Sequence, residues 1–112
     1  MDSIQIAYDN VINRAIELTY IDLVSAMIER RNVEKKEKDA ANEPLKKFWH
    51  SEWEKAQKEV NKLSEWFIVV IPKYRDLDGS RFIGWAQEEA DEYERTGIRR
   101  NHKPQPETDP DK

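Results

Sequence analysis

Between Trp49 and Phe67, the apolar residues Trp49, Trp53, Ala56, Val60, Leu63 and Phe67 follow one another at spacings of four, three, four, three and four. On a helix of about 3.6 residues per turn such a series keeps to one side, as in a coiled-coil seam. A half-buried strand would need alternation instead. The stripe therefore predicts a helical packing surface, and it predicts no chemistry.

The segment before it has the same character. Asp2 or Ser3 caps a first helix. Ile4, Val11 and Leu18 recur at seven-residue spacing, and Ile12, Ile16, Leu23 and Met27 make an adjoining row. Tyr20, Ile21, Val24 and Ile28 widen the apolar surface further. A helix so apolar around its middle needs cover on more than one side. Two other helices of the same chain supply it, or a second copy does, which would make the protein a homodimer. From Asn32 to Asn42 charged residues dominate, which reads as an exposed helical extension and then a turn. Glu43-Pro44 marks the start of the second helix, because proline's missing N–H would be unpaired in a first turn anyway.

The second helix runs from Pro44 to about Val70, and Pro72 stops it. Phe67-Ile68-Val69-Val70-Ile71 suits a buried strand by composition but continues the helical stripe, and no partner strand is evident, so it reads as a last helical turn. Lys73 to Gly79 is a loop. Asp78 or Ser80 caps a third helix whose apolar side is Phe82, Ile83, Trp85, Ala86, Ala90 and Tyr93, and Gly97 ends it. The fold expected is all-α: a small helical bundle built on an antiparallel hairpin, with a shorter third helix packed across the ends of the first two. Residues 1–97 form the one domain. Residues 98–112, with Pro104, Pro106 and Pro110 among scattered charges, form a flexible tail.

Composition narrows the function classes. Hydrophobic and charged residues each make up 38% of the 112 residues, and only three are glycine, which favours a small helical domain with a charged surface. Without cysteine there are no disulfides, no thiol catalysis and no cysteine-ligated metal. No stretch reaches the roughly 18 apolar residues of a membrane span. The Met-Asp-Ser start has neither the basic region nor the apolar core of a signal peptide, so the expected location is the cytoplasm. A net charge of −4 argues against a strong nucleic-acid binder.

Candidate chemistry fails one constellation at a time. Asp76-Leu77-Asp78-Gly79 hints at a calcium loop, but one register puts Tyr74 at position one and Trp85 at twelve, and the other puts Arg81 at six and Gln87 at twelve. It reads as a turn and helix cap. His50 and His102 are too far apart in sequence to suggest a zinc site, and His50 with Ser51 and Glu54 on one helix cannot form a catalytic triad. There is no glycine-rich phosphate loop. No catalytic residue, metal or cofactor is expected. Glu88-Glu89-Ala90-Asp91-Glu92 resembles the first magnesium-binding motif of the all-helical nucleotide pyrophosphohydrolases related to MazG. That resemblance implies a second E-x-x-D motif on a following helix, whereas here Glu107 is followed three positions later by Pro110. The cluster reads as a solvated acidic helix face, with a divergent magnesium-dependent nucleotide hydrolase as a remote alternative.

Two surface features remain. Phe48, Trp49, Trp53, Trp66, Phe67, Phe82 and Trp85 are more rings than one helix can hide against one partner. Core packing accounts for Trp53, Phe67, Phe82 and Trp85, which leaves a contact patch near Phe48, Trp49 or Trp66. The basic residues Arg95, Arg99, Arg100 and Lys103 could touch phosphates as an accessory arm.

The pieces Ser64-Glu65-Trp66-Phe67, Asp78-Gly79, Phe82-Ile83 and Glu88-Glu89 carry a resemblance over Phe48 to Glu92. The stretch is similar to short helical proteins encoded by tailed bacteriophages and prophages of Gram-positive bacteria. The segment between Phe67 and Asp78 is longer here than in that family. The resemblance implies a phage-like origin but no activity and no site residues. The function expected is a small non-enzymatic module that binds and occludes a host protein, such as an inhibitor of host defence or host machinery. Phe48, Trp49 and Trp66 would anchor it, and Glu88, Glu89, Asp91 and Glu92 would meet a basic, nucleic-acid-binding site on the partner. The alternative is a nucleic-acid accessory protein of a phage replication or recombination module using Arg95, Arg99, Arg100 and Lys103.

Overall fold

The computed structural model describes residues 2–98, and all of its regular structure is helical. Helix α1 spans Ser3–Lys38 and α2 spans Glu43–Glu65. A π-helical turn, Trp66–Val70, leads directly into the one-turn helix α3, Ile71–Tyr74. After a loop, α4 spans Ser80–Thr96. No described helix is long and apolar enough to cross a membrane.

Local chemistry sets the helix ends. The Asp2 carboxylate accepts the Ile4 N–H at 2.9 Å, and the Asn42 side chain accepts that of Leu45 at 3.0 Å just before Pro44. Ser80 N–H and Oγ–H both donate to one Asp78 carboxylate oxygen, at 3.1 and 2.6 Å. Gly97 closes α4 with φ of 72°, a left-handed conformation that an L side chain adopts only at a cost.

The second helix does not stop at Pro72. A proline in a regular helix loses the bond to the carbonyl four residues back and collides with it. Here the turn before Pro72 is widened, and Ile71 N–H reaches back to the Trp66 carbonyl. That π turn lets the helix absorb the proline and continue to Tyr74. It also settles Phe67–Ile71 as helix and not strand.

Glu37 meets His50, Arg30 meets Gln57 and Asn13 meets Arg75, so numbers fall along α1 as they rise through α2 and beyond. On the opposite course, Tyr20 meets Glu89, and Arg31 and Lys35 meet Glu94. Helix α4 therefore runs alongside the second half of α1, from Tyr20 to Lys35, whereas the sequence had suggested a third helix across the ends of the first two. Phe82, Ala86 and Ala90, one turn apart and all buried, explain this: two alanines let α4 approach closely while Phe82 fills the space at its start.

The core contains Ile16, Tyr20, Leu23, Val24 and Met27 of α1, Val60 and Phe67 of the second segment, Ile71, and Phe82. Phe67 and Phe82 stack with centroids 5.1 Å apart, and Tyr20 meets Phe82 edge-on at 6.4 Å. Each such buried side chain contributes about 1.5–3 kcal/mol of transfer free energy. The middle of α1 is thus covered on two sides from within the chain. Val33, inside the charged run, is also buried. In contrast, the seven-spaced row Ile4, Val11 and Leu18 faces outward, at 76, 67 and 47% exposure.

Candidate functional site

Helix α1 ends at Lys38 and α2 begins at Glu43, so the connecting turn gathers both helix ends into one region. Phe48 lies in the second turn of α2 and is 53% exposed. Its ring meets Trp49 edge-on at 4.9 Å, and Lys36 of α1 lies over the half-buried Trp49 ring at 4.8 Å. The indole therefore sits between an aromatic edge and a cation, with Phe48 beside it as a half-open apolar edge. The next residue, His50, stacks on Trp53 at 5.9 Å, with Nδ1 3.2 Å from a Glu37 oxygen and Nε2 3.1 Å from a Glu54 oxygen.

The acidic cluster divides by helical phase. Glu89 turns inward and accepts the Tyr20 hydroxyl proton, while its other carboxylate oxygen is buried with no hydrogen-bond partner. Burial above all, then this bond and the charges of Glu89 and Glu88, push the Tyr20 phenol well above its ordinary pKa. Asp91 and Glu94 pair with the guanidinium of Arg31, Glu94 at 3.0 Å, and Lys35 adds a contact to Glu94 at 3.6 Å. Glu88 stays exposed and Glu92 half-buried. A groove of about 680 Å³ opens between α1 and α4, with Arg31 and Lys35 of α1 on one side and Glu88, Asp91, Glu92, Glu94 and Arg95 of α4 on the other. It is wide and charged with both signs, unlike the enclosed apolar pockets that take small ligands.

The residues singled out from sequence therefore separate. Phe48 and Trp49 form a surface edge. Trp66 does not: it is half-buried and packs edge-on against Phe67 at 5.1 Å, on the core side of the π turn. Glu89 is committed to Tyr20, which withdraws it from a free acidic face, whereas Asp91 pairs with Arg31 and stays exposed. Arg95 lines the groove, whereas Arg99, Arg100 and Lys103, and the tail expected over 98–112 from residue 99 onward, lie outside the described residues. Among the described residues no group of three or more His, Asp or Glu side chains is placed to hold a metal ion. The basic partners Arg31 and Lys35 were not legible as such, because nothing local ties them to carboxylates some 60 positions away.

The cap position of α4 is Gly79, with no side-chain cap bond, and not Asp78 or Ser80; Asp78, just before it, has its carboxyl held below the ordinary carboxylate range by the Ser80 hydroxyl and amide. Comparison with protein-family models, with curated proteins and with solved structures finds no match to this chain.

Proposed function

We propose that this chain is a non-enzymatic protein-binding module: an antiparallel helical hairpin with a short third helix, which acts by covering a basic surface on its partner. The observation that carries the reading is the half-exposed Phe48–Trp49 edge near the turn between α1 and α2. Beside this edge α1 touches both of its neighbours, since Lys36 lies over Trp49 of α2 and Lys35 meets Glu94 of α4. An exposed aromatic anchor beside carboxylates is the composition of an interface centre with a charged rim. The phage-like resemblance of Phe48 to Glu92 makes a bacterial host protein in the cytoplasm the natural partner, and occlusion of its nucleic-acid site the mechanism. Glu88, exposed on α4, supplies the acidic side of the contact, while Glu89 and Asp91 hold α4 in place.

The test is a pull-down with tagged protein from a Gram-positive host lysate, read by mass spectrometry, beside a Phe48→Ala, Glu88→Lys variant of matching helicity. One stoichiometric host protein captured by wild type and lost by the variant supports the reading. Equal capture by both removes this face from the contact. Capture that disappears on nuclease treatment replaces the reading with nucleic-acid binding.

A further inference from the structure

The first half of α1 carries a second apolar stripe, facing away from the molecule. Ile4, Tyr8, Val11, Ala15 and Leu18 follow one another at four, three, four and three. On a regular helix they fall within roughly 80° of arc, centred about 130° around the helix from the buried set Ile16, Tyr20, Leu23 and Met27. Ile4 is 76%, Val11 67%, Leu18 47% and Tyr8 41% exposed, and Ile21 borders them at 39%. None of the five stripe positions is charged. We propose that this stripe is a self-association surface, and that its occupant is the same stripe of a second copy of the chain.

Among the described residues, α2 and α4 are already spent on the other side of α1. Residues 99–112 contain no Val, Ile, Leu, Met, Phe, Tyr or Trp, and Pro104, Pro106 and Pro110 give no row of knobs at helical spacing. A membrane surface is a poor match by charge: residues 1–28 hold Asp2, Asp9, Glu17 and Asp22 against the single base Arg14, whereas helices that lie on lipid carry Lys and Arg on their polar face. The heptad spacing is what an identical helix accepts, each knob seating in the holes of its copy about a two-fold axis. The area is adequate. The large side chains of the stripe expose on the order of 400–500 Å² per chain, at the scale of the largest patch a monomer leaves open. Complete burial of both stripes, with the flanking side-chain stems, reaches about 1,000 Å², the lower limit for an interface and the scale of a weak dimer. This surface lies away from the Phe48–Trp49 edge, so the two contacts are independent.

Sedimentation velocity on the full chain over rising concentration tests the assignment. Wild type should reach about 27 kDa, twice the 13.3 kDa of one chain, with a dissociation constant in the micromolar range. Val11→Glu, Leu18→Glu should weaken dimerisation by roughly a hundredfold or more, because it sets four carboxylates in an apolar seam. Both sites are exposed in one chain, so helicity at 222 nm should stay unchanged. Phe48→Ala should dimerise like wild type, which separates this contact from the partner-binding edge. Wild type that stays monomeric throughout, a Val11→Glu, Leu18→Glu protein that still dimerises, or monomers that pellet with anionic lipid vesicles would each overturn the proposal.

Discussion

Gly79 and Gly84 lie five residues apart, one at the start of α4 and one within it, and replacing each with alanine should move stability in opposite directions. A Cβ added at Gly79 would sit 1.8 Å from the Phe67 carbonyl oxygen and 2.6 Å from its carbon. Both atoms are backbone, so no rotamer change relieves the contact. Carbon and oxygen need about 3.3 Å even in a close contact, so the start of α4 must move away by about 1.5 Å. Phe82 is three residues further on and stacks on Phe67 at 5.1 Å. A gap of 0.5–1 Å already forfeits about a quarter to a half of a dispersion contact. The displacement therefore loosens the Tyr20, Phe67 and Phe82 contacts together.

A cost of about 3 kcal/mol follows, at the upper end of overpacking effects, and it equals about 12 °C in Tm for a chain of this size. At Gly84, nothing lies within 4 Å of the added Cβ. There Ala in place of Gly should add about 0.8–1 kcal/mol through helix propensity alone. Urea denaturation followed by tryptophan fluorescence and by ellipticity at 222 nm measures both. If Gly79→Ala proves as stable as Gly84→Ala, α4 does not pass so close to the π turn and the packing argument fails.

Three further outcomes are expected. Tyr20→Phe leaves the Glu89 carboxylate without its donor and should cost about 1.5–3 kcal/mol at neutral pH. Because the folded-state pKa of Tyr20 is raised above the ordinary 10.0, its contribution is complete below that pH and declines as pH rises beyond it. Wild type should therefore lose stability in alkali more steeply than Tyr20→Phe, as read from urea midpoints between neutral pH and strong alkali. Arg31→Gln removes the pairings to Asp91 and Glu94, whose side chains are 61 and 44% exposed. Screening limits the loss to about 0.5–1.5 kcal/mol, and it should shrink in high salt, which a melt at two ionic strengths will show. The Asp78 carboxyl is depressed below its ordinary 3.8 by the Ser80 bonds, so its help to α4 is present above that pH and is lost as pH falls through its lowered pKa. Asp78→Ala should lower Tm at neutral pH, and the difference from wild type should close on acidification; a constant difference would assign the effect to packing.

Much of this fold is written locally. Asp2, Asn42 with Pro44, and Gly97 mark helix ends because a cap needs only a side chain and a backbone group within four residues of each other. The stripe from Trp49 to Phe67 made α2 legible for the same reason, since periodicity is a property of one helix. The sequence by itself also determined that α1 was too apolar for a single partner.

Which of its rows would be covered was a tertiary decision. Ile4, Val11 and Leu18 are as apolar as Ile12, Ile16 and Leu23, and only the placement of α2 and α4 sends the first row to solvent and buries Ile16 and Leu23 of the second. The acidic run shows the same limit. Glu88 and Glu89 are identical in chemistry, yet one step of helical phase puts Glu89 against Tyr20, 69 positions earlier, and leaves Glu88 outside. Pro72 shows it at the backbone, where the π turn absorbed a residue that local rules read as a stop. Propensity, caps and period act over a few residues and are settled by the sequence. The side of a helix that meets water, and the carboxylate that meets a phenol, depend on elements far apart in the chain and are settled when those elements pack.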